Sequence, residues 1–427
     1  MNPLVNYDEL VKEYQEYQAL HLKLDMSRGK PSPEQLQLSE DILLAVSDVN
    51  DCISDEGLDC RNYGGFYGLQ ALRDLFGEEL AVPSSQVLIG GVSSLSLMYD
   101  VLSTALLKGM CNSEQPWCRE EKVRFICPVP GYDRHYTICE KLGFEMISVP
   151  LLGDGPDMDM VEALVEADES IKGIWCVPLF SNPTGDVYSL DTLERLANLR
   201  AKAKDFTVMM DNAYAVHTLS AENKLEPVDF YDMCVRAGYS DRPILFASMS
   251  KVTFASASVS CVAFGPENFE HFTNQWKARF ISQDKMNQLR HIRVFPNVSA
   301  LHQRMEQHAR ILLPKFEMID ATLTKRLNGC DFVSWTKPTG GYFITLKVAP
   351  HTARRVFELC RAAGVVLTSP GAGFPYNEDP NDEFIRLAPS YPSVEELKTA
   401  TDLLCVCVML AYCEQQGSGA LSSLMEV

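Results

Sequence analysis

At 427 residues the chain exceeds the roughly 150 residues of an ordinary domain, so a large domain with a smaller companion is expected. Its composition, 46% hydrophobic and 22% charged with 25 Gly and 23 Pro scattered rather than clustered, excludes collagen-like, low-complexity and disordered classes. The 38 Lys plus Arg stand against 57 Asp plus Glu, a formal net charge of −19, which would repel a nucleic-acid backbone. No apolar run approaches the roughly 20 residues a membrane span needs, and no signal-peptide pattern opens the chain. A soluble cytoplasmic protein is therefore expected, with neither nucleic acid nor membrane as partner. The 14 Cys are dispersed, several lie in apolar runs (Cys127, Cys176, Cys261), and none forms a CxxC pair. Reduced core thiols are expected, with no metal site.

In chain order, residues 6 to 22 place Leu10, Tyr14, Tyr17 and His21 at helical spacing, which predicts an amphipathic opening helix. The segment SRGKPSPEQ that follows is too rich in Gly and Pro to continue it. From about residue 87, short apolar runs alternate with helical patterns: VLI (87 to 89), VRFIC (123 to 127), EMISV (145 to 149), GIWCV (173 to 177), FTVMM (206 to 210), PILFA (243 to 247) and VSCVAF (259 to 264). This predicts an α/β fold whose mainly parallel seven-stranded sheet is covered on both faces, with right-handed helical crossovers. One crossover carries Leu95, Met98, Leu102 and Leu106 on one face, and Asp191 with Glu194 predicts a capping-box start for another. Beyond about residue 296 come a long helix, a hairpin-like piece (332 to 346), another helix (353 to 364) and a closing helix (393 to 413), which predict a smaller α+β domain. The expected organisation is an N-terminal arm with part of the small domain (1–47), a large domain (48–295) and a small C-terminal domain (296–427). The tail from residue 417 has turn composition and is expected to fray.

In open α/β sheets ligands collect at the carboxyl ends of the strands. VLI is followed there by GGVSSLSL, two glycines and small hydroxylated residues before a helix, a construction suited to phosphate; taken alone, an ordinary turn with a Ser cap is the favoured reading. VRFIC is followed by PVPGYDRH, which brings Tyr132 to the crevice with His135 one turn later. Tyr132 either stacks on a flat ligand or covers the sheet edge. Asn182 precedes a proline turn in LFSNPTG. Asp211 ends an apolar strand, where an unpartnered charge is costly, and Tyr214 follows. Lys251 sits in SMSK among Ser248, Ser250 and Thr253. Taken together these are the parts needed to hold pyridoxal 5'-phosphate: an amine to form the Schiff base, an acid for the pyridine nitrogen, donors for the ring oxygen and an aromatic face.

The ordered motifs NPTG, DNAY, SMSK and FIRLAPS resemble those of the fold-type I, class I aminotransferases, from RGKP (28 to 31) to the last helix. RGKP, RNYGGFYG, GGVSSLSLMYD, PGYDRH, SMSKVTFASASV and MNQLRH most resemble the aspartate aminotransferase subgroup called type Ic. The resemblance implies that Lys251 is the Schiff-base lysine that also shuttles the proton, that Asp211 is the pyridine-nitrogen acid, and that His135 supports Asp211. It makes Asn182 and Tyr214 the ring-oxygen donors and puts Tyr132 in the stacking position. Val92, Ser93, Ser94, Ser248 and Ser250 would surround the phosphate. Tyr63 would reach the phosphate of a neighbouring subunit, implying a homodimer with shared active sites. Arg386 would hold the substrate α-carboxylate as a fork, with Gly29 contributing a backbone contact.

One position departs from the pattern, and the cation for a second substrate carboxylate is unassigned. Where many relatives place an arginine on the phosphate, eight residues after the lysine, this chain has Val259; Arg28, Arg61, Arg290 and Arg293 are the candidate substitutes. For a second substrate carboxylate, Arg290 and Arg293 are candidates, each equally a surface ion-pair residue. The reading implied is a ping-pong aminotransferase acting on amino acids and 2-oxo acids, aspartate with 2-oxoglutarate first. A β-decarboxylase or C–S lyase would share the same cofactor residues. An effector-sensing aminotransferase-like module is disfavoured because no basic helix-turn-helix segment precedes the arm.

Overall fold

Strands buried on both faces must be apolar throughout, and the seven apolar runs do form one sheet. This is seen in a computed structural model that describes residues 7–417 except 221, 223–224 and 226–228. The strands are β1 (Val87–Ile89), β2 (Arg124–Val129), β3 (Glu145–Pro150), β4 (Ile171–Cys176), β5 (Thr207–Asp211), β6 (Pro243–Ser248) and β7 (Ser260–Phe264). Their spatial order is β1-β7-β6-β5-β4-β2-β3. Only β7 runs against its neighbours β1 and β6. The side-chain period of two splits each strand between two cores. Val208 and Met210 join Ile126 and Ile174 on one side, whereas Met209 joins Phe125 and Trp175 on the other.

A third core draws on both ends of the chain. Leu10 of the opening helix and Met26 pack with Leu312 and Ile319 of the helix Val298–Leu327 and with Leu403 of the closing helix Val394–Gln415. Leu24–Asp25 pairs in parallel with Val365–Val366. A three-stranded antiparallel sheet completes this part: β8 (Ser334–Trp335), β9 (Ile344–Lys347) and β10 (Phe384–Leu387), in the order β10-β9-β8. Tyr214 and Phe180, from loops at the carboxyl end of the large sheet, belong to the same core. That end of the sheet and the third core therefore face each other.

Local chemistry moves several boundaries. Strand β5 extends one residue beyond expectation, so Asp211 is its last residue, paired in register with Phe246. The opening helix spans Tyr7–Ala19, and His21 lies beyond it at φ 50. The helix expected to be capped by Asp191 with Glu194 starts instead at Ser189, whose hydroxyl accepts from Thr192 N at 3.1 Å. A serine oxygen reaches the first-turn amide directly. Inside the Gly- and Pro-rich segment a five-residue helix, Pro33–Gln37, forms behind a Ser32 capping box. The fourteen cysteines are free thiols, eleven of them buried. The expected fraying tail falls outside the described residues except for Gly417. Among the described residues no helix is long and apolar enough to cross a membrane.

Candidate active site

Asp211, at the carboxyl end of β5, is almost fully buried. Its Oδ2 lies 3.0 Å from His135 Nε2; a carboxylate accepts, so the ring donates from Nε2. His135 comes from the first turn of the helix Asp133–Lys141, and its ring stacks on Trp175 of β4 with centroids 4.1 Å apart and planes 4° from parallel. Tyr132 stands edge-on to the same imidazole at 5.0 Å. The second carboxylate oxygen of Asp211, Oδ1, is buried and has no hydrogen-bond partner among the described residues. Such an orphan acceptor is expensive, so the site is built to receive a donor at this oxygen.

Lys251 follows β6, and its Nζ lies 4.4 Å from the centroid of the Tyr214 ring. Burial raises the Tyr214 hydroxyl well above the usual phenol range and pushes Tyr132 up to about 12, with nearby Lys251 pulling Tyr132 partly back. Both are neutral hydrogen-bond donors at neutral pH. Beside them the turn after β1 leads into the helix Ser94–Lys108, capped by Ser93, whose hydroxyl oxygen accepts from Leu95 N at 3.2 Å. This leaves the Ser93 O–H free to donate outward. A serine chain ties this turn to the end of β6: Ser248 Oγ donates to Ser250 Oγ at 3.1 Å, and Ser250 Oγ to the Val92 carbonyl at 3.0 Å. Hydroxyls and a positive helix end thus meet in one place.

Arg386, in β10, approaches from the opposite wall. Its Nε donates to Thr368 Oγ1 (3.2 Å), Nη1 to Asn182 Oδ1 (3.2 Å) and Nη2 to the Ser27 carbonyl (3.3 Å). Asp133 lies 3.6 Å from Nη1 and the Phe343 ring 4.8 Å from the guanidinium carbon. Gly29 lies where a Cβ would come within 2.6 Å of the Phe343 ring, so the chain passes only because that residue has none. Lys251, Tyr132, Asn182, Tyr214, Arg386 and Gly29 together line a cavity of ≈ 450 Å³.

Asp211, His135, Val92, Ser93, Ser94, Ser248 and Ser250 are not in the cavity wall, and the other expected residues divide. Tyr63 is 78% exposed and does not line the cavity. Val259 is buried in the core, its carbonyl bonded to Met249 N. Of the candidate cations, Arg61 is engaged by Asp59 through two hydrogen bonds. Arg293 is held by the Asp51 carbonyl and side chain. Arg290 is not part of the cavity wall, whereas Arg28 is. Sequence reasoning missed Thr368, Phe343, Asp133 and the Ser27 carbonyl, all set around Arg386, and Trp175 behind His135.

The chain matches the family described as Aspartate amino-transferase over residues 5–419. It belongs to that family. The aspartate aminotransferase of Corynebacterium glutamicum is 45% identical over 408 residues, covering 96% of this chain and 94% of that protein. A crystal structure of an aspartate transaminase from the same organism superposes with a TM-score of 0.93 at 44% identity, covering 96% of each chain. The α-aminoadipate aminotransferase of Thermus thermophilus, solved with N-(5'-phosphopyridoxyl)-L-leucine, shares the fold with a TM-score of 0.75 at 19% identity over 95% of both chains. The α/β architecture is thus that of fold-type I, and the aminotransferase family implies pyridoxal phosphate with amino-acid and 2-oxo-acid substrates. The residues present fit this cofactor: Asp211 Oδ1 is an acceptor without a donor among the described residues, and Ser248 and Ser250, tied to the helix-end turn at Val92, stand within three residues of Lys251, which lines the cavity.

Proposed function

We propose that this aminotransferase moves the amino group of aspartate to 2-oxoglutarate by a ping-pong sequence at this one site, releasing oxaloacetate and then glutamate. The observation that carries the reading is the orphaned Asp211 Oδ1, whose partner His135 packs against Tyr132, a residue of the cavity wall that also holds Lys251 and Arg386. When bound, pyridoxal phosphate supplies an electron sink for the pair left at the substrate Cα. Asp211 Oδ1 would hold the proton of the pyridine nitrogen, and His135, locked by Trp175, keeps that carboxylate turned toward it. Asn182 and Tyr214 would donate to the ring oxygen, and Tyr132 would cover the ring face. Val92, Ser93, Ser94, Ser248 and Ser250 would hold the phosphate through hydroxyls and backbone, with no cation at Val259.

Lys251 Nζ would hold the cofactor and would carry the proton that leaves the substrate Cα. Arg386 receives the α-carboxylate as a two-pronged donor, and Gly29 lets the chain approach it. Asp133 and Asn182 occupy Arg386 in the meantime and hold its plane. Tyr63, exposed on one subunit, would reach the phosphate of the second, making a homodimer the active unit. Segments 1–47 and 296–427 would then form the small domain against the large domain 48–295.

The test is product analysis on holoenzyme. Aspartate with 2-oxoglutarate should give oxaloacetate and glutamate in equal amounts. Aspartate alone should be consumed once per site and then stop; continued formation of alanine would show β-decarboxylation and overturn the proposal.

A further inference from the structure

Behind the cavity lies a buried polar group that the chemistry above does not use. Tyr342, Gln35 and His308 are each at most 1% exposed, and none of them lines the cavity. They come from three separate elements: the approach to β9, the short helix Pro33–Gln37 and the long helix Val298–Leu327. Tyr342 and His308 bond to two consecutive carbonyls, those of Lys251 and Val252, and Gln35 links the two side chains.

The proton accounting admits one arrangement. The two N–H bonds of the Gln35 amide point to Tyr342 Oη at 2.8 Å and His308 Nδ1 at 3.0 Å. His308 Nδ1 therefore accepts, and the ring proton sits on Nε2, which donates to the Val252 carbonyl at 3.0 Å. Tyr342, accepting from Gln35, has its own O–H free to donate to the Lys251 carbonyl at 3.2 Å. Gln35 Oε1 accepts from Ser32 N at 3.1 Å, and Ser39 Oγ adds a second bond to the Val252 carbonyl at 3.1 Å. Burial brings His308 down to about 4, so the neutral form this pattern needs is the form present. Fully satisfied networks of this kind rigidify what they hold.

We infer that Tyr342, Gln35 and His308 form a brace that fixes the Lys251–Val252 backbone and thereby sets where the Lys251 amine reaches. The proposal rests on Lys251 acting as proposed above. The Lys251 side chain leaves the same residue whose carbonyl Tyr342 holds, and its amine rests over Tyr214. The His217 ring stands edge-on to both Tyr214 and Tyr342, at 5.8 and 5.3 Å, and the two tyrosine rings are themselves 5.8 Å apart, so the brace and the surface under the amine are packed as one unit. Tyr342 is thus a positioning residue that acts through backbone, without touching substrate or cofactor.

Tyr342→Phe removes one hydroxyl and keeps the ring; Gln35→Met cuts the chain one link further back. Three quantities are measured on each: steady-state kinetics with aspartate, the isotope effect with Cα-deuterated aspartate, and the rate at which cofactor-free protein captures added pyridoxal phosphate. Misplacing a reacting atom by about 1 Å costs about a hundredfold, so kcat should fall by about 10- to 100-fold. KM should hold within about twofold, the isotope effect should rise as proton transfer becomes limiting, and capture should slow. Both variants should give the same signature. Variants that are less stable to heat but have the parental kcat, isotope effect and capture rate would show a packing role only and overturn the brace. If one variant does not fold, the other decides. A parent that fails to transaminate aspartate overturns the reading beneath the proposal; an active parent with unchanged variants overturns the brace alone.

Discussion

Strand β5 has a buried aspartate near each end, and the two are treated in opposite ways. Asp205, two residues before the strand begins, has all its bonds made: Oδ1 accepts from Lys172 Nζ at 2.9 Å, and Oδ2 from Ser113 Oγ at 2.6 Å and Trp117 Nε1 at 2.8 Å. Asp211, at the far end, has His135 on one oxygen and nothing on the other. Both are about equally buried, at 5% and 3% exposure, so burial does not separate them. A saturated buried carboxylate holds the fold together; one left open marks the place where a ligand supplies the missing donor.

The largest effect should fall at the open end. Lys251→Ala removes the amine of the cavity wall, the only one among the described residues there, and should lower turnover by about four orders of magnitude or more, with the long-wavelength absorbance of the loaded protein lost as well. The aspartates then give a crossed result. Asp211→Asn should lower kcat by about 10²- to 10⁴-fold while leaving the melting temperature of cofactor-free protein unchanged or higher, because a half-partnered buried charge is gone. Asp205→Asn should do the reverse. It leaves Lys172 buried with only Glu120 at 3.7 Å, which costs about 3 kcal/mol of stability, while kcat stays within a few-fold. Stability lost in both, or activity lost in both, would show that the contrast between the two ends carries no meaning.

The same contrast explains what was legible in the sequence. Strands buried on both faces read as unbroken apolar runs, so all seven were found, and the polar residue after each was a natural suspect. Asp211, Lys251, Tyr132, Asn182 and Tyr214 came from that rule alone. The setting of Arg386 was not legible, because Ser27, Asp133, Asn182, Phe343 and Thr368 come from distant parts of the chain and meet only through the fold. Pro33–Gln37 was hidden by its glycine- and proline-rich surroundings, although Ser32 and Gln35 carry a capping-box spacing. His308 and Gln35 read as ordinary polar positions, since nothing in a helical period says that one polar residue faces another element.

On the opposite wall of the cavity, Arg386→Lys tests whether planar geometry matters there. Lysine keeps the charge but loses the fork and cannot reproduce the three directed bonds to Thr368, Asn182 and Ser27. The kcat/KM for aspartate should fall by about a hundredfold, mostly in KM, with pyridoxal phosphate retention unaffected. A variant with parental KM would mean that the α-carboxylate lies elsewhere.

The last effect concerns acid stability, and it takes the contrast from carboxylates to a buried base. Burial lowers His308 from the usual 6.5 to about 4 in the folded protein. As pH falls, the unfolded chain therefore takes up this proton first, and between about pH 6.5 and 4 it binds one proton that the folded state does not. The stability tied to neutral His308 is fully present above pH 6.5 and is lost as pH falls toward 4, with no further loss from this group below that. At about 1.4 kcal/mol per unit the window amounts to about 3 kcal/mol. His308→Gln keeps an acceptor for Gln35 and a donor for Val252 but cannot titrate. Denaturant unfolding of cofactor-free protein across this range should show a shallower loss in the variant than in the parent, with the difference closing above pH 7. Carboxylates common to both proteins cancel in the comparison. Equal slopes would mean that His308 takes its proton in the folded state, and the single hydrogen-bond direction through Gln35 would then fail.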